Sequence, residues 1–234
     1  MKKVPVILLV IASLTFAAYA EAAKPKRHTR NANRVGPYAG AMLGMAHYTG
    51  DQSGIESELE STFAGTSTQN LTIGTDSKDI GYAAQFGYRF NRYLATEFAL
   101  VQYGELHSQA RADIDLGSGF VPAAVDVRFH VTGPQMSMIG ILPLNEKFEI
   151  YVRAGLLFAA SEREFSIKVD GQVNSFGSSK GDSTEIVLGV GGAYNVNQMF
   201  AVRFQYERVP EVGDRQRTGV EDVDTASIGL IVRF

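Results

Sequence analysis

The chain has 234 residues, no cysteine and no tryptophan, and its 22 Lys and Arg stand against 25 Asp and Glu, a formal charge of −3. These numbers exclude a disulfide scaffold and a lipid-modified amino-terminal cysteine, and they argue against nucleic-acid binding, which calls for a basic surface. Gly (24), Phe (14) and Tyr (10) are plentiful, and together with alternating apolar residues they indicate β structure.

In chain order, Lys2 and Lys3 precede an apolar run from Val4 to Phe16, and "AYA" at 18–20 supplies small residues before a cleavage point. Residues 1–20 therefore read as a secretion signal cut after Ala20, and a membrane-anchoring helix is the alternative that the short run disfavours. Loss of Lys2 and Lys3 takes the formal charge from −3 to −5. Residues 21–35, with "KPKRHTRNANR", form a basic tail read as solvated. Residues 36–234 are read as one β domain.

Eight alternating segments follow. "PYAGAMLGMAHY" comes first, then "IGYAAQFGYRF" and "YLATEFALVQYG" around the turn at 90–93. "QMSMIGIL" and "FEIYVRAGLLFAA" flank the turn at 143–147, and "EIVLGVGGAY" and "MFAVRFQYERV" flank the turn at 195–198. The last is "TASIGLIVRF", where Ala226, Ile228, Leu230, Val232 and Phe234 share one face and Ser227, Gly229, Ile231 and Arg233 the other. The other connections, near 49–77, 106–124, 161–182 and 210–222, are long and polar. Alternation of short and long connections is the pattern of a membrane barrel with short periplasmic turns and long outside loops. A soluble sandwich or lipocalin-like barrel also alternates. Charges opposite the apolar face suit either, but the export signal, the loop asymmetry and the terminal phenylalanine favour an all-β, eight-stranded antiparallel up-and-down transmembrane β-barrel, closed because lipid leaves no solvent for an open edge.

The loops carry their own patterns. "ARADIDLGSGFVPAAVDVRFHV" alternates about Gly117-Ser118-Gly119 and "REFSIKVDGQVNSF" about Asp170-Gly171, so two hairpins are expected to extend the sheet above the membrane over about 108–130 and 163–176. The apolar parity shifts from Val127, Phe129 and Val131 to Met136, Met138 and Leu142, which predicts a bulge at Gly133-Pro134. Ile55, Leu59 and Phe63 in "IESELESTF" have the spacing of a short amphipathic helix. The acidic first loop, with Asp51, Glu56, Glu58, Glu60 and Asp76, reads as solvated rather than as a gatherer of divalent cations. His47, His107 and His130 lie toward the outer ends of their strands without a nucleophile or ligand partner at suitable spacing, so neither catalysis nor a metal or cofactor is expected.

"YAGAMLGMAHYTG", "GYRFNRYLATEFALVQYG", "LPLNEKFEIYVRAGLLFAASE", "NVNQMFAVRFQYE" and "ASIGLIVRF", five segments in order, resemble the strands of the transmembrane domain of outer membrane protein A. The resemblance covers nearly all of 36–234, with no counterpart of that family's peptidoglycan-binding domain. It implies a barrel in the outer membrane of a Gram-negative bacterium with both termini periplasmic. Its contacts would be outer-membrane lipid, lipopolysaccharide and the barrel-assembly machinery. It also implies a monomer with a structural or surface-interaction role toward a host or surface ligand, or else a narrow or gated pore. Ser227, Gly229, Val232 and Phe234 match the terminal insertion signal of such barrels, with Val232 where an aromatic is common. Glu97 and Arg203 match the family's gate glutamate and arginine and are expected to form a lumen ion pair, with Arg89, Arg153, Glu185 and Arg233 as further lumen charges. The family's lysine has no equivalent, since Ile139 or Ser137 stands there.

Overall fold

The computed structural model describes residues 34–49, 67–115, 117, 119–213 and 220–234. The expected signal segment, the tail up to residue 33, the expected helix over 55–63 with its neighbouring acids from Asp51 to Glu60, and Ser118 lie outside the described residues.

Nine strands are described: β1 (Gly36–Tyr48), β2 (Thr68–Asp76), β3 (Lys78–Arg89), β4 (Leu94–Asp115), β5 (Phe120–Pro143), β6 (Phe148–Val169), β7 (Gln172–Asn195), β8 (Phe200–Val212) and β9 (Glu221–Arg233). Eight of them close a ring of antiparallel neighbours, β1-β3-β4-β5-β6-β7-β8-β9 and back to β1. The short turns are built alike. Asn91, Asn145 and Asn197 each turn a side-chain oxygen back to accept from the backbone N–H two residues on, at 2.7–2.8 Å. That is the local chemistry by which Asn closes a tight turn.

The first long connection differs from its reading as a polar loop. Its last part, Thr68–Asp76, is β2, which pairs with the outer half of β4 from Asp76↔His107 to Thr68↔Ile114. Only Ser77 separates β2 from β3, which pairs with the inner half of β4, from Tyr82↔Gln102 to Arg89↔Ala95. The physical reason is the length of β4, whose outer half would otherwise leave an open edge.

The hairpins continue well past the ring. β4 and β5 remain paired out to Asp115↔Phe120, and β6 and β7 out to Val169↔Gln172. Along these strands the apolar side changes. In the ring, Phe98, Leu100, Met136, Met138, Ile150 and Val152 point outward and are exposed, while the inner face holds charge. Farther out, Val125, Val127, Phe129 and Val131 are buried on the inner face, while Arg128 is exposed on the outer one. A wall against lipid must be apolar outside, whereas a sheet in water hides its apolar side.

This change of side corrects the expected bulge at Gly133-Pro134. β5 keeps one register on β6 across that point, from Thr132↔Ala160 to Gln135↔Leu157. The irregularity lies on β4 instead, between Gln102 and Glu105, where Gly104 has a φ of 70°. Gly133 serves close strand approach, since a Cβ there would overlap the Phe158 carbonyl of the adjacent strand.

On the outward face of the extension, Asp126 accepts from Lys168 Nζ at 3.0 Å and Gln109 Nε2 at 2.6 Å. Partial burial pushes this carboxyl up, but Lys168, Gln109 and His107 together outweigh it and hold it below the ordinary range. A lowered folded pKa gives stability that is present above the unfolded value, about 4, and is lost as pH falls through the folded one. Asp126→Asn should therefore speed amide exchange in the outer β4–β5–β6 ladder about fivefold at neutral pH, the factor for about 1 kcal/mol. The difference from the parent should close on acidification to below the folded pKa.

Candidate functional site in the lumen

The interior is layered. Nearest the short turns, Arg34, Arg89 and Glu149 meet, with Arg34 Nη1 2.9 Å and Arg89 Nη1 3.0 Å from the carboxylate. Next comes a thin layer of Tyr38, Ala95, Ile139, Tyr151, Ala201 and Ile231. The charged middle follows, and beyond it a broad apolar layer.

In the middle, Glu97 of β4 is ion-paired through one oxygen with Arg203 of β8 and through the other with Arg153 of β6. Tyr38 donates its hydroxyl to Glu97 at 2.6 Å. Arg153 reaches onward to Glu207, with Nη1 at 2.7 Å from Oε1, and Gln135 donates to the same oxygen at 3.1 Å. The Arg203 guanidinium lies over the Tyr151 ring, 5.0 Å from its centroid. Two carboxylates thus meet two guanidiniums in a chain Arg203–Glu97–Arg153–Glu207, with the Glu97 side chain 1% exposed. Low local dielectric strengthens such a chain and makes each unpaired member costly.

Glu97 and Arg203 are therefore together. Arg153, expected as a neighbouring charge, is the bridge between the two carboxylates. It also places a second cation at Glu97, and its cross-strand partner is Ile139, where the family's lysine has no equivalent. Arg89 and Arg233 stand at the short-turn mouth, beyond the thin apolar layer, and Glu185 is half-buried on the inner face of β7 outside both clusters. Tyr38, Tyr151 and Gln135 are site residues that the sequence reading does not single out, and Glu207 is legible there only as one of the charges opposite the apolar face. Their inward parity is readable, but their mutual contacts span strands far apart in sequence. Of the terminal set, Ser227 and Gly229 are half-buried on the inward side, Phe234 is exposed, and a Cβ at Gly229 would overlap the Ala41 carbonyl and Met42 Sδ.

The layer above is contributed by β1 and by β4 through β9. It includes Tyr48, Leu106, Phe129, Val131, Leu157, Val187, Val209 and Val223, all buried. Tyr48 and Phe129 meet edge to face at 6.0 Å, and the Tyr48 hydroxyl donates to the Tyr103 carbonyl at 3.2 Å. This apolar layer lies on the outer side of the charged middle.

Beside this ring of eight strands with charge inside and apolar residues outside, the sequence matches the family model of the OmpA-like transmembrane domain over residues 32–234. The chain belongs to that family. It is an outer-membrane β-barrel of the Gram-negative type. It is 29% identical over 231 residues to outer membrane protein A of Yersinia pseudotuberculosis serotype I (strain IP32953), covering 97% of this chain and 54% of that protein. It is 26% identical to outer membrane protein A of Serratia marcescens, covering 97% and 55%. The chain thus spans about half the length of these curated relatives. Similar solved structures include Ail, the attachment invasion locus protein of Yersinia pestis (17% identity, TM-score 0.42, covering 85% of this chain and 99% of Ail). Neisserial surface protein A is another (18% identity, TM-score 0.42, covering 85% and 97%).

Proposed function

We propose that this protein is a closed, non-catalytic barrel whose function lies at the cell surface, in contact with a host or surface ligand through its extended hairpins. The observation that carries this reading is the β-ladder beyond the ring, where β2, β4, β5, β6 and β7 form one sheet outside the apolar band. Ordered structure held away from the bilayer contributes little to anchoring and offers a rigid surface for recognition. In this reading the short turns and both termini face the periplasm, and lipopolysaccharide surrounds the base of the extension. Ser227, Gly229, Val232 and Phe234 present the last strand to the assembly machinery.

The polar middle layer supports a second reading, a narrow gated pore. The apolar layer above it favours the first.

The test is binding of the purified, folded protein to host cells and matrix before and after both hairpins are shortened, with residues 106–129 and 163–178 each replaced by a two-residue turn. Heat-modifiable mobility checks that the shortened barrel remains folded. Surface contact through the hairpins requires binding to fall at least tenfold, and equal binding by the two forms overturns it.

A further inference from the structure

Charge is unbalanced at the short-turn mouth. Arg34, Arg89 and Arg233 converge there, each within Coulombic reach of Glu149. Glu149 is shared by Arg34 and Arg89, at 2.9 Å and 3.0 Å. Arg233 has only a neutral partner, its Nη2 donating to Asn195 Oδ1 at 2.7 Å. Its Nη1 is buried and has no acceptor among the described residues. Among the described residues, no carboxylate forms an ion pair with Arg233. Three guanidiniums face one side-chain carboxylate, a surplus of two positive charges that the α-carboxylate of Phe234, next to Arg233, offsets in part. Arg92 and Lys147 on the adjoining turns add more cation at the rim, and Glu146 opposes them.

Surplus charge in a confined mouth is costly unless an anion meets it. A guanidinium fork suits an oxyanion with two acceptor oxygens, and phosphate bearing close to two negative charges matches the surplus better than a carboxylate does. Asn195 is itself held by donating Nδ2 to the Lys147 carbonyl at 3.2 Å, so Arg233 is kept with its free nitrogen in place. Arg34 is a quarter exposed, which leaves the mouth open on that side.

We propose that the short-turn mouth is a phosphate-binding site, formed by Arg34, Arg89 and Arg233 beside Glu149, with Arg233 Nη1 as the donor awaiting its acceptor. The ligand is a phosphate group, either free in solution or on a lipid headgroup. This site is independent of the surface-contact reading, since it lies at the opposite end of the barrel.

The test uses the folded barrel in nanodiscs of zwitterionic lipid, with the arginine side-chain N–H resonances followed by NMR. Inorganic phosphate should shift Arg233 saturably, with half-saturation at or below about 1 mM, and acetate should act at least tenfold more weakly. Arg208 of the outer rim, paired with Asp222 at 2.7 Å, should not respond. Arg233→Gln should weaken phosphate binding at least tenfold, read from the Arg34 and Arg89 signals. Arg233→Lys should restore part of it, which separates loss of the site from loss of fold. Nanodiscs containing phosphatidylglycerol, without added phosphate, identify the source. The same Arg233 shift there means a headgroup occupies the mouth, and a shift only with inorganic phosphate means a soluble ligand. No saturable response to either, or equal responses at Arg208 and Arg233, overturns the proposal.

Discussion

Replacing Glu97 by Gln is expected to destabilise the folded barrel by about 3–5 kcal/mol, the range for removing one partner of a buried ion pair. The change leaves Arg153 and Arg203 facing each other with Glu207 as the remaining carboxylate, and Glu207 meets Arg153 alone. Arg203→Met should cost less, because Arg153 still compensates Glu97. In a double-mutant cycle of the two, read by urea unfolding in lipid, the coupling should exceed about 0.5 kcal/mol. Coupling below that value would mean that the pair is only two charges meeting lumen water. Arg153→Met, which strips a cation from two carboxylates at once, should exceed Arg203→Met in cost. The reverse ranking would show that the bridge is not the centre of the chain.

No steady open channel is expected from the parent protein in planar bilayers, and the Glu97→Gln, Arg203→Met double variant should stay closed as well. The reason is the position of the apolar layer, which lies across the lumen on the outer side of the charges. A gate made of the charges alone would open when they are removed. Here their loss leaves Tyr48, Leu106, Phe129 and Leu157 packed in place. Phe129→Ala, by contrast, should cost about 3–5 kcal/mol, as truncation of a buried aromatic does. Steady conductance by the parent would overturn the closed reading. Conductance confined to the double variant would transfer the closure to Glu97 and Arg203.

The ring is legible in the sequence because its two ingredients are local. Period-two alternation decides which side chains share a face, and Asn-bearing tight turns decide which strands are hairpin neighbours. The side on which Glu97, Arg153, Arg203 and Glu207 lie follows from that parity alone. Alternation is blind, however, to which face meets water. The parity shift between Val131 and Met136 resembles a bulge only while one unchanging apolar face is assumed, whereas the register on β6 is unbroken and the apolar side passes there from outside to inside. The strand Thr68–Asp76 is hidden for a related reason. It is stabilised by the free edge of β4, a neighbour that no property of "TQNLTIGTD" announces.

By itself, then, the sequence determined the class of fold, the number of ring strands and the inward direction of the ring's lumen charges, because a β-strand fixes these residue by residue. Beyond the Glu97–Arg203 pair that the family resemblance implies, only the tertiary structure decided who meets whom across the lumen. Closing eight strands tilts and staggers them, so residues level with one another on opposite walls are set by the whole ring rather than by any segment. That stagger brings Arg153 between Glu97 and Glu207, leaves Arg233 at the mouth without an ion pair among the described residues, and stacks an apolar layer above the charges.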